Sequence, residues 1–399
     1  MEEPAVNATA PPPAFGKIMV LAGEKSGDQH AAALCRELAK LRPGLEMFGM
    51  GGDEMEAAGV ELVERITGHS VVGIWEAVRE LGRFRRLFNY LAGVMEERRP
   101  DVVVLVDFPG FNLRFARRAR RRGIATAYYI CPQVWAWGRG RVKQLKRFVD
   151  RLLVIFPFER EFFRRYGIEA EFVGHPLADV LASFPDREAA RRRLELSPGP
   201  VVGLLPGSRP GEIGRIYPVL IEAASLLAAR RPQIQFVTPI SSPDLREMAE
   251  SLAGTFPGRL RLVDGRSREV MAASDLLLVA SGTATLEGAV LGVPMEVVYR
   301  VSFLSWLAGM VLVKIPYISL VNIVSGRCVV PEYIQRAARP EEIAARAEEL
   351  LAPGPRRQAM TDALRGVRTK LGEPGAAARA ARVIMEMPAL SAPSAEKGR

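Results

Sequence analysis

The chain has 399 residues, 48% of them hydrophobic and 25% charged, with a formal net charge of +10. These values exclude a disordered chain, a collagen-like repeat and a disulfide-stapled mini-protein, and the length implies two or three domains. Three distant cysteines, Cys35, Cys131 and Cys328, have no C-x-x-C spacing, which argues against a disulfide framework or a zinc knuckle and fits a reducing cytoplasm.

The acidic, proline-rich residues 1–14 lack the basic and apolar regions of a signal peptide and read as a disordered tail. KIMVLA (17–22) predicts a strand, GEKSGD a glycine-containing loop and DQHAAALCRELAKL a helix. MFGMGG predicts a strand and turn. VVVLVDF (102–108) is a fully apolar strand followed by an arginine-rich helix to Arg122. ATAYYI (125–130) and RLLVIFPF (151–158) read as further strands. Continuous apolar runs, rather than strict alternation, indicate parallel strands buried on both faces. DREAARRRLELSPGP (186–200) predicts a helix and linker, after which the pattern restarts. VVGLLPGSR, IQFVTPI, RLRLVDG, DLLLVA and PMEVVY supply strands separated by helix-like stretches. The expected fold is α/β, with Rossmann-like domains over 15–190 and 200–365, a ligand cleft between them, and a C-terminal helix and tail over 366–399.

Two strand-to-helix loops in the second domain carry phosphate-binding chemistry. In the first, Ser281-Gly282-Thr283 ends an apolar strand and opens a helix. Gly282 admits close backbone approach, the helix N-terminus favours an anion, and the hydroxyls of Ser281 and Thr283 add donors. Glu287, one turn on, suits ribose hydroxyls. A plain serine/threonine helix cap explains the same residues. In the second loop, Gly207-Ser208-Arg209 with Glu212 brings a guanidinium whose fork matches phosphate oxygens; a solvated surface arginine is the alternative. Together the loops predict nucleotide binding. Neither G-x-G-x-x-G nor G-x-x-x-x-G-K-[ST] occurs, and no D-x-D pair is present to hold a metal–diphosphate complex. Metal-independent stabilisation by amides and arginine is expected, with no cofactor.

Between Arg79 and Arg122 twelve arginines face five acidic residues. In residues 74–95 Trp75, Val78, Leu81, Phe84, Phe88, Leu91 and Met95 recur at helical spacing. Such a helix can lie on an anionic membrane surface, or be an ordinary domain helix with a solvated arginine face. Val301–Val321 is interrupted by Lys314 and Pro316 after about 13 residues, too short to span a bilayer but suited to acyl-chain contact or burial. No nucleic-acid reader motif accompanies the basic runs.

AGEKSGDQHAAAL (22–34), GMGGDEMEAAGVE (49–61), VDFPGFN (106–112), CPQVWAWGRGRV (131–142), FPFE (156–159), FVGHPLAD (172–179), LLPGSRPGE (204–212), ASGTATLE (280–287) and VPEYIQ (330–335) resemble, in order, segments of the lipid-A-disaccharide synthases, an inverting glycosyltransferase family with the GT-B architecture. The resemblance implies attack by the 6′-hydroxyl of 2,3-diacylglucosamine 1-phosphate (lipid X) on the anomeric carbon of UDP-2,3-diacylglucosamine. The products are a β(1→6) disaccharide 1-phosphate and UDP. It implies Asp107 as the general base, with Arg209 and Asn322 completing the catalytic set. Gly207, Ser208, Arg209, Glu212, Ser281, Gly282, Thr283 and Glu287 fall on the donor side. Ser26, Gly27, Asp28, His30, Asn112 and Trp135 are acceptor-side candidates. For His30 a satisfied structural histidine is the competing reading, and for Trp135 it is aromatic packing. The resemblance further implies peripheral attachment to the inner face of the inner membrane and leaves room for a homodimer. The sequence departs from the family at Gly110, usually a second aspartate, at Val321, usually proline, and at Cys131, usually serine. The alternatives are another UDP-sugar GT-B enzyme, such as a peptidoglycan N-acetylglucosaminyltransferase or a UDP-N-acetylglucosamine 2-epimerase, or a non-catalytic nucleotide- or lipid-binding relative.

Overall fold

Apolar runs with no alternation have no face to present to water, and in this chain they form two all-parallel sheets covered by helices. The computed structural model describes residues 16–66, 74–136, 138, 140–180, 183–302, 306–307 and 315–387, without the side chains of 74–81. The expected tails, Trp137, and residues 303–305 and 308–314 of the Val301–Val321 segment lie outside the described residues, as do the side chains of Trp75, Val78 and Leu81. Two compact units emerge: Met1–Pro176 with Pro374–Arg399, and Leu177–Glu373.

The first unit holds β1 (Lys17–Ala22), β2 (Glu46–Gly51), β3 (Glu61–Arg65), β4 (Val102–Val106), β5 (Ala125–Tyr129), β6 (Arg151–Val154) and β7 (Ala170–Phe172), in the order β3-β2-β1-β4-β5-β6-β7. The second holds β8 (Val201–Leu205), β9 (Gln235–Ile240), β10 (Arg259–Asp264), β11 (Leu276–Ala280), β12 (Met295–Tyr299) and β13 (Glu332–Ile334), in the order β10-β9-β8-β11-β12-β13. Both orders reverse once, between β1 and β4 and between β8 and β11. Crossovers run to opposite sides at such a point, which opens a crevice beyond the strand C-termini. The two strand-to-helix loops singled out by the sequence follow β8 and β11, at one reversal, and the family-like segments GEKSGD and VDFPGFN follow β1 and begin at the end of β4, at the other.

The segment 366–399 does not stand apart as one piece. Helix Pro355–Lys370 belongs to the second unit, whereas helix Ala376–Met385 packs on helix Lys25–Leu41 in the first. The basic helix extends over Ile74–Arg98. Within its described part, Leu91 and Met95 are buried in the first unit's core, with Phe84 and Phe88 packed against it. From Phe84 onward the stripe is therefore spent on folding rather than offered to a bilayer. No described helix is long and apolar enough to cross a membrane.

Candidate active site

VVVLVDF stops being a strand at Val106 because Asp107 and Phe108 both turn left-handed, at φ +48° and +47°. Residues with a Cβ avoid this region at a cost of about 1–3 kcal/mol each, so surrounding contacts must fix it. The Phe108 ring packs on Phe111 at 5.6 Å and Phe84 at 6.1 Å. It fills the space beside Gly23, where a Cβ would come within 2.2 Å of the ring. Glycine is therefore required in the loop after β1 by a side chain in the loop after β4. The turn leaves the Asp107 carboxyl half-buried at the β1/β4 reversal. Burial first, and the charge of Glu24 second, push its pKa up to about 6.

Other acceptor-side candidates have structural tasks here. Asp28 turns its carboxylate away to cap helix Asp53–Ala57, accepting from the amides of Gly52 at 2.7 Å, Glu54 at 3.1 Å and Met55 at 3.1 Å. Gly27 is buried and Ser26 exposed on the same turn. Asn112 is fully buried and donates to the carbonyls of Leu21, Val106 and Asp107, tying the ends of β1 and β4 together. Trp135 is buried, packs edge-on against Phe158 and donates its indole N–H to Glu159 at 2.9 Å. Glu159 also accepts from the amides of Ile155 and Phe156, and burial lifts its pKa to about 7. The aromatic segment thus builds a buried hub rather than a sugar platform. His30 is half-buried near His175, whose burial depresses its pKa to about 3. Gly110 is exposed with open space before it, so the missing second carboxylate leaves no packing defect.

At the β8/β11 reversal a cavity of about 390 Å³ is lined by Gly207, Ser208, Arg209, Glu212, Ser281, Gly282 and Thr283, among others. That is within the range of small-ligand pockets. The end of β9 and the loops after β9 and β10 add Ile240, Ser241, Gly265 and Ser267, which no motif marks. Helix Thr283–Val290 begins at Gly282 without a side-chain cap. Gly282 is extended, at φ +165°, and a Cβ there would meet open space. Ser281 donates its hydroxyl to the Ile318 carbonyl at 3.0 Å, so it braces the loop. Glu212 caps its own helix, accepting from the amides of Ser208 at 3.1 Å and Arg209 at 3.3 Å. Gly207, at φ +107°, passes so close that a Cβ would lie 2.3 Å from the Glu212 carboxylate. Arg209 is exposed and pairs with Glu212 at 3.3 Å. Glu287 does not line the cavity; it approaches Arg268 at 3.7 Å, and burial raises its pKa.

Asn322 also lies outside the cavity lining. It is fully buried, donates to Val330 O and Glu332 Oε1, both at 2.8 Å, and accepts from the amides of Val329 and Val330. Every polar atom of its amide is occupied, so it is a clasp and not a group that meets a reacting atom. Glu332 in turn accepts from the amides of Ile318 and Ser319, which holds the carbonyl that receives Ser281. Asn322→Ala is expected to destabilise the second unit by about 3 kcal/mol, because several buried partners lose a bond at once. Differential scanning calorimetry should record a midpoint lower by roughly 6–10 °C; an unchanged midpoint would refute the clasp. Among the described residues no group of three or more His, Cys, Asp or Glu side chains is arranged to hold a metal ion.

Residues 18–384 match the family described as lipid-A-disaccharide synthetase. The chain belongs to that family. The lipid-A-disaccharide synthase of Myxococcus xanthus (strain DK1622) is 44% identical over 373 residues, covering 93% of this chain and 97% of the relative. The family's enzymes are glycosyltransferases of lipid A biosynthesis, and this chain is one of them. Among solved structures, UDP-GlcNAc 2-epimerase from Neisseria meningitidis, bound to UDP-GlcNAc, aligns with TM-score 0.58 at 13% identity, covering 93% of this chain and 98% of that one. MurG of Acinetobacter baumannii aligns with TM-score 0.54 at 15% identity, covering 93% and 99%. These identities establish the shared GT-B fold alone.

Proposed function

We propose that the enzyme transfers 2,3-diacylglucosamine from UDP-2,3-diacylglucosamine to lipid X with inversion. Asp107 takes the proton of the 6′-hydroxyl as its oxygen bonds to the anomeric carbon. The bond from that carbon to the diphosphate breaks, and UDP departs with the electron pair. The observation that carries the reading is the half-buried Asp107 carboxyl at a sheet reversal, where burial and the Glu24 charge raise its proton affinity towards the range in which a general base works. On the donor side, the N-terminus of helix Thr283–Val290 and the Arg209 guanidinium receive the developing charge of the diphosphate. Gly207, Ser208, Glu212 and Ser281 hold these groups in place, and Glu287 follows in the helix that Thr283 opens. Ser26 and His30 contribute to acceptor recognition, whereas Gly27, Asp28, Asn112 and Trp135 support the loops around it. Asn322 acts at one remove through Glu332 and Ile318.

Acylated substrates reside in membranes. With the described apolar stripe of helix Ile74–Arg98 buried, attraction to an anionic inner-membrane surface falls to arginines, among them the exposed Arg83, Arg85 and Arg86. Incubation with radiolabelled UDP-2,3-diacylglucosamine and lipid X, without added metal, tests the whole reading. Disaccharide formation supports it, and UDP binding without turnover refutes it.

The pH profile provides a separate check. Since Asp107 must be ionised to accept a proton, kcat/KM should rise with pH through about 6 and then level. Glu24→Gln removes the neighbouring like charge and should move this limb to lower pH. A limb at the ordinary carboxylate value, or one unmoved by Glu24→Gln, would contradict the electrostatic account.

A further inference from the structure

We propose that Tyr128 and Asn112 are positioning residues that aim the Asp107 carboxylate by gripping that residue's own main-chain carbonyl. The inference rests on Asp107 being the base. Tyr128 stands on β5, the strand next to β4, in register with Leu105. Its ring is fully buried, and its hydroxyl donates to the Asp107 carbonyl at 2.6 Å. Asn112, in the first turn of helix Pro109–Arg121, donates to the same oxygen at 2.8 Å. A carbonyl oxygen offers two lone pairs, and donors from two different elements occupy them.

The convergence matters because Asp107 is left-handed and carries a side chain. Such a residue relaxes towards extended backbone unless its surroundings oppose it. A return to extended geometry would swing this carbonyl away and break both bonds. Neither of these two bonds reaches the carboxylate. The pair therefore fixes where the base points, and burial and Glu24 set how strongly it holds a proton. The Tyr128 phenol is itself kept protonated, with burial raising its pKa well above the usual tyrosine value and the Asp107 charge adding to the effect, so it remains a donor.

The test is Tyr128→Phe, which preserves the buried ring and leaves the Asn112 bond in place. A misaimed base should lower kcat about tenfold to a hundredfold while KM for both substrates changes by less than about twofold. UDP affinity by calorimetry and the thermal midpoint should stay near those of the unaltered enzyme. The loosened loop lets water reach the carboxylate, so the acid limb should drop from about 6 towards the ordinary carboxylate range. A purely structural tyrosine would not move that limb. Asn112→Ala should show the same loss of kcat. Wild-type kcat in Tyr128→Phe, or an unmoved limb with kcat and UDP affinity falling together, overturns the proposal. Asp107→Asn keeps the two claims apart. If that variant retains full turnover, the base assignment fails and the positioning role with it. If it is inactive while Tyr128→Phe is not impaired, only the positioning role fails.

Discussion

Asp107→Asn is expected to lower turnover about a thousandfold, the scale of losing a positioned general base. Asparagine preserves the shape of the side chain and an oxygen that can accept the Phe108 amide N–H as the carboxylate does, and the left-handed turn is held besides by the main-chain carbonyl, the Phe108 ring and Gly23. The fold and its thermal midpoint should therefore persist. UDP affinity should change little, because among the described residues the cavity that accounts for it is lined by residues of the second unit. Steady-state rates with both lipid substrates, paired with calorimetric titration of UDP, decide the matter. A variant at wild-type rate removes Asp107 from the chemistry. Equal losses of rate and UDP affinity would show damage wider than a missing base.

Arg209→Ala is expected to weaken UDP binding by about 10–100-fold, the scale of losing a charge-assisted bond to phosphate. The arginine is exposed and tethered only to Glu212, three residues on, so the fold should hardly register its loss. Glu212 remains bonded to the amides of Ser208 and Arg209 and keeps the helix start intact. Its negative charge is then no longer offset beside the cavity, which adds to the effect. Arg209→Lys should recover part of the affinity, since a point charge replaces a fork. UDP affinity unchanged in Arg209→Ala would remove the guanidinium from the diphosphate site.

The central strands were legible because parallel strands buried on both faces must be apolar throughout. VVVLV, VVGLL and LLLVA each match a strand whose every residue is buried. The strands absent from the sequence reading are edge strands. ELVER, AEF and EYI are short or polar, because one side has no neighbour to exclude water. The loops at the β8/β11 reversal were legible from glycine, hydroxyl and charged residues at strand ends, whereas the turn after β4 was marked only by the family resemblance. What each side chain does there was not legible. Asp28 and Glu212 look like ligand-facing acids, yet each satisfies backbone amides of a helix start. Asn322 looks like a site residue and is enclosed in a clasp formed with residues up to ten positions away. Tyr128 carried no signal, because a tyrosine in an apolar strand reads as core until its hydroxyl is traced to a carbonyl 21 residues earlier.

The return of helix Ala376–Met385 bears on how the protein is made. Its inner face, including Ala376, Ala380, Ala381 and Ile384, is buried, and it packs on helix Lys25–Leu41 near the chain's beginning. Arg379 adds bonds to the carbonyls of Val173 at 2.8 Å and Pro374 at 2.9 Å. During synthesis residues 17–176 of the first unit emerge early but lack this helix until the whole second unit has been made. The second unit, an unbroken stretch between two segments of the first, can close around its own core beforehand. The half translated first is thus the half completed last, and its uncovered helix needs shelter while the rest is made.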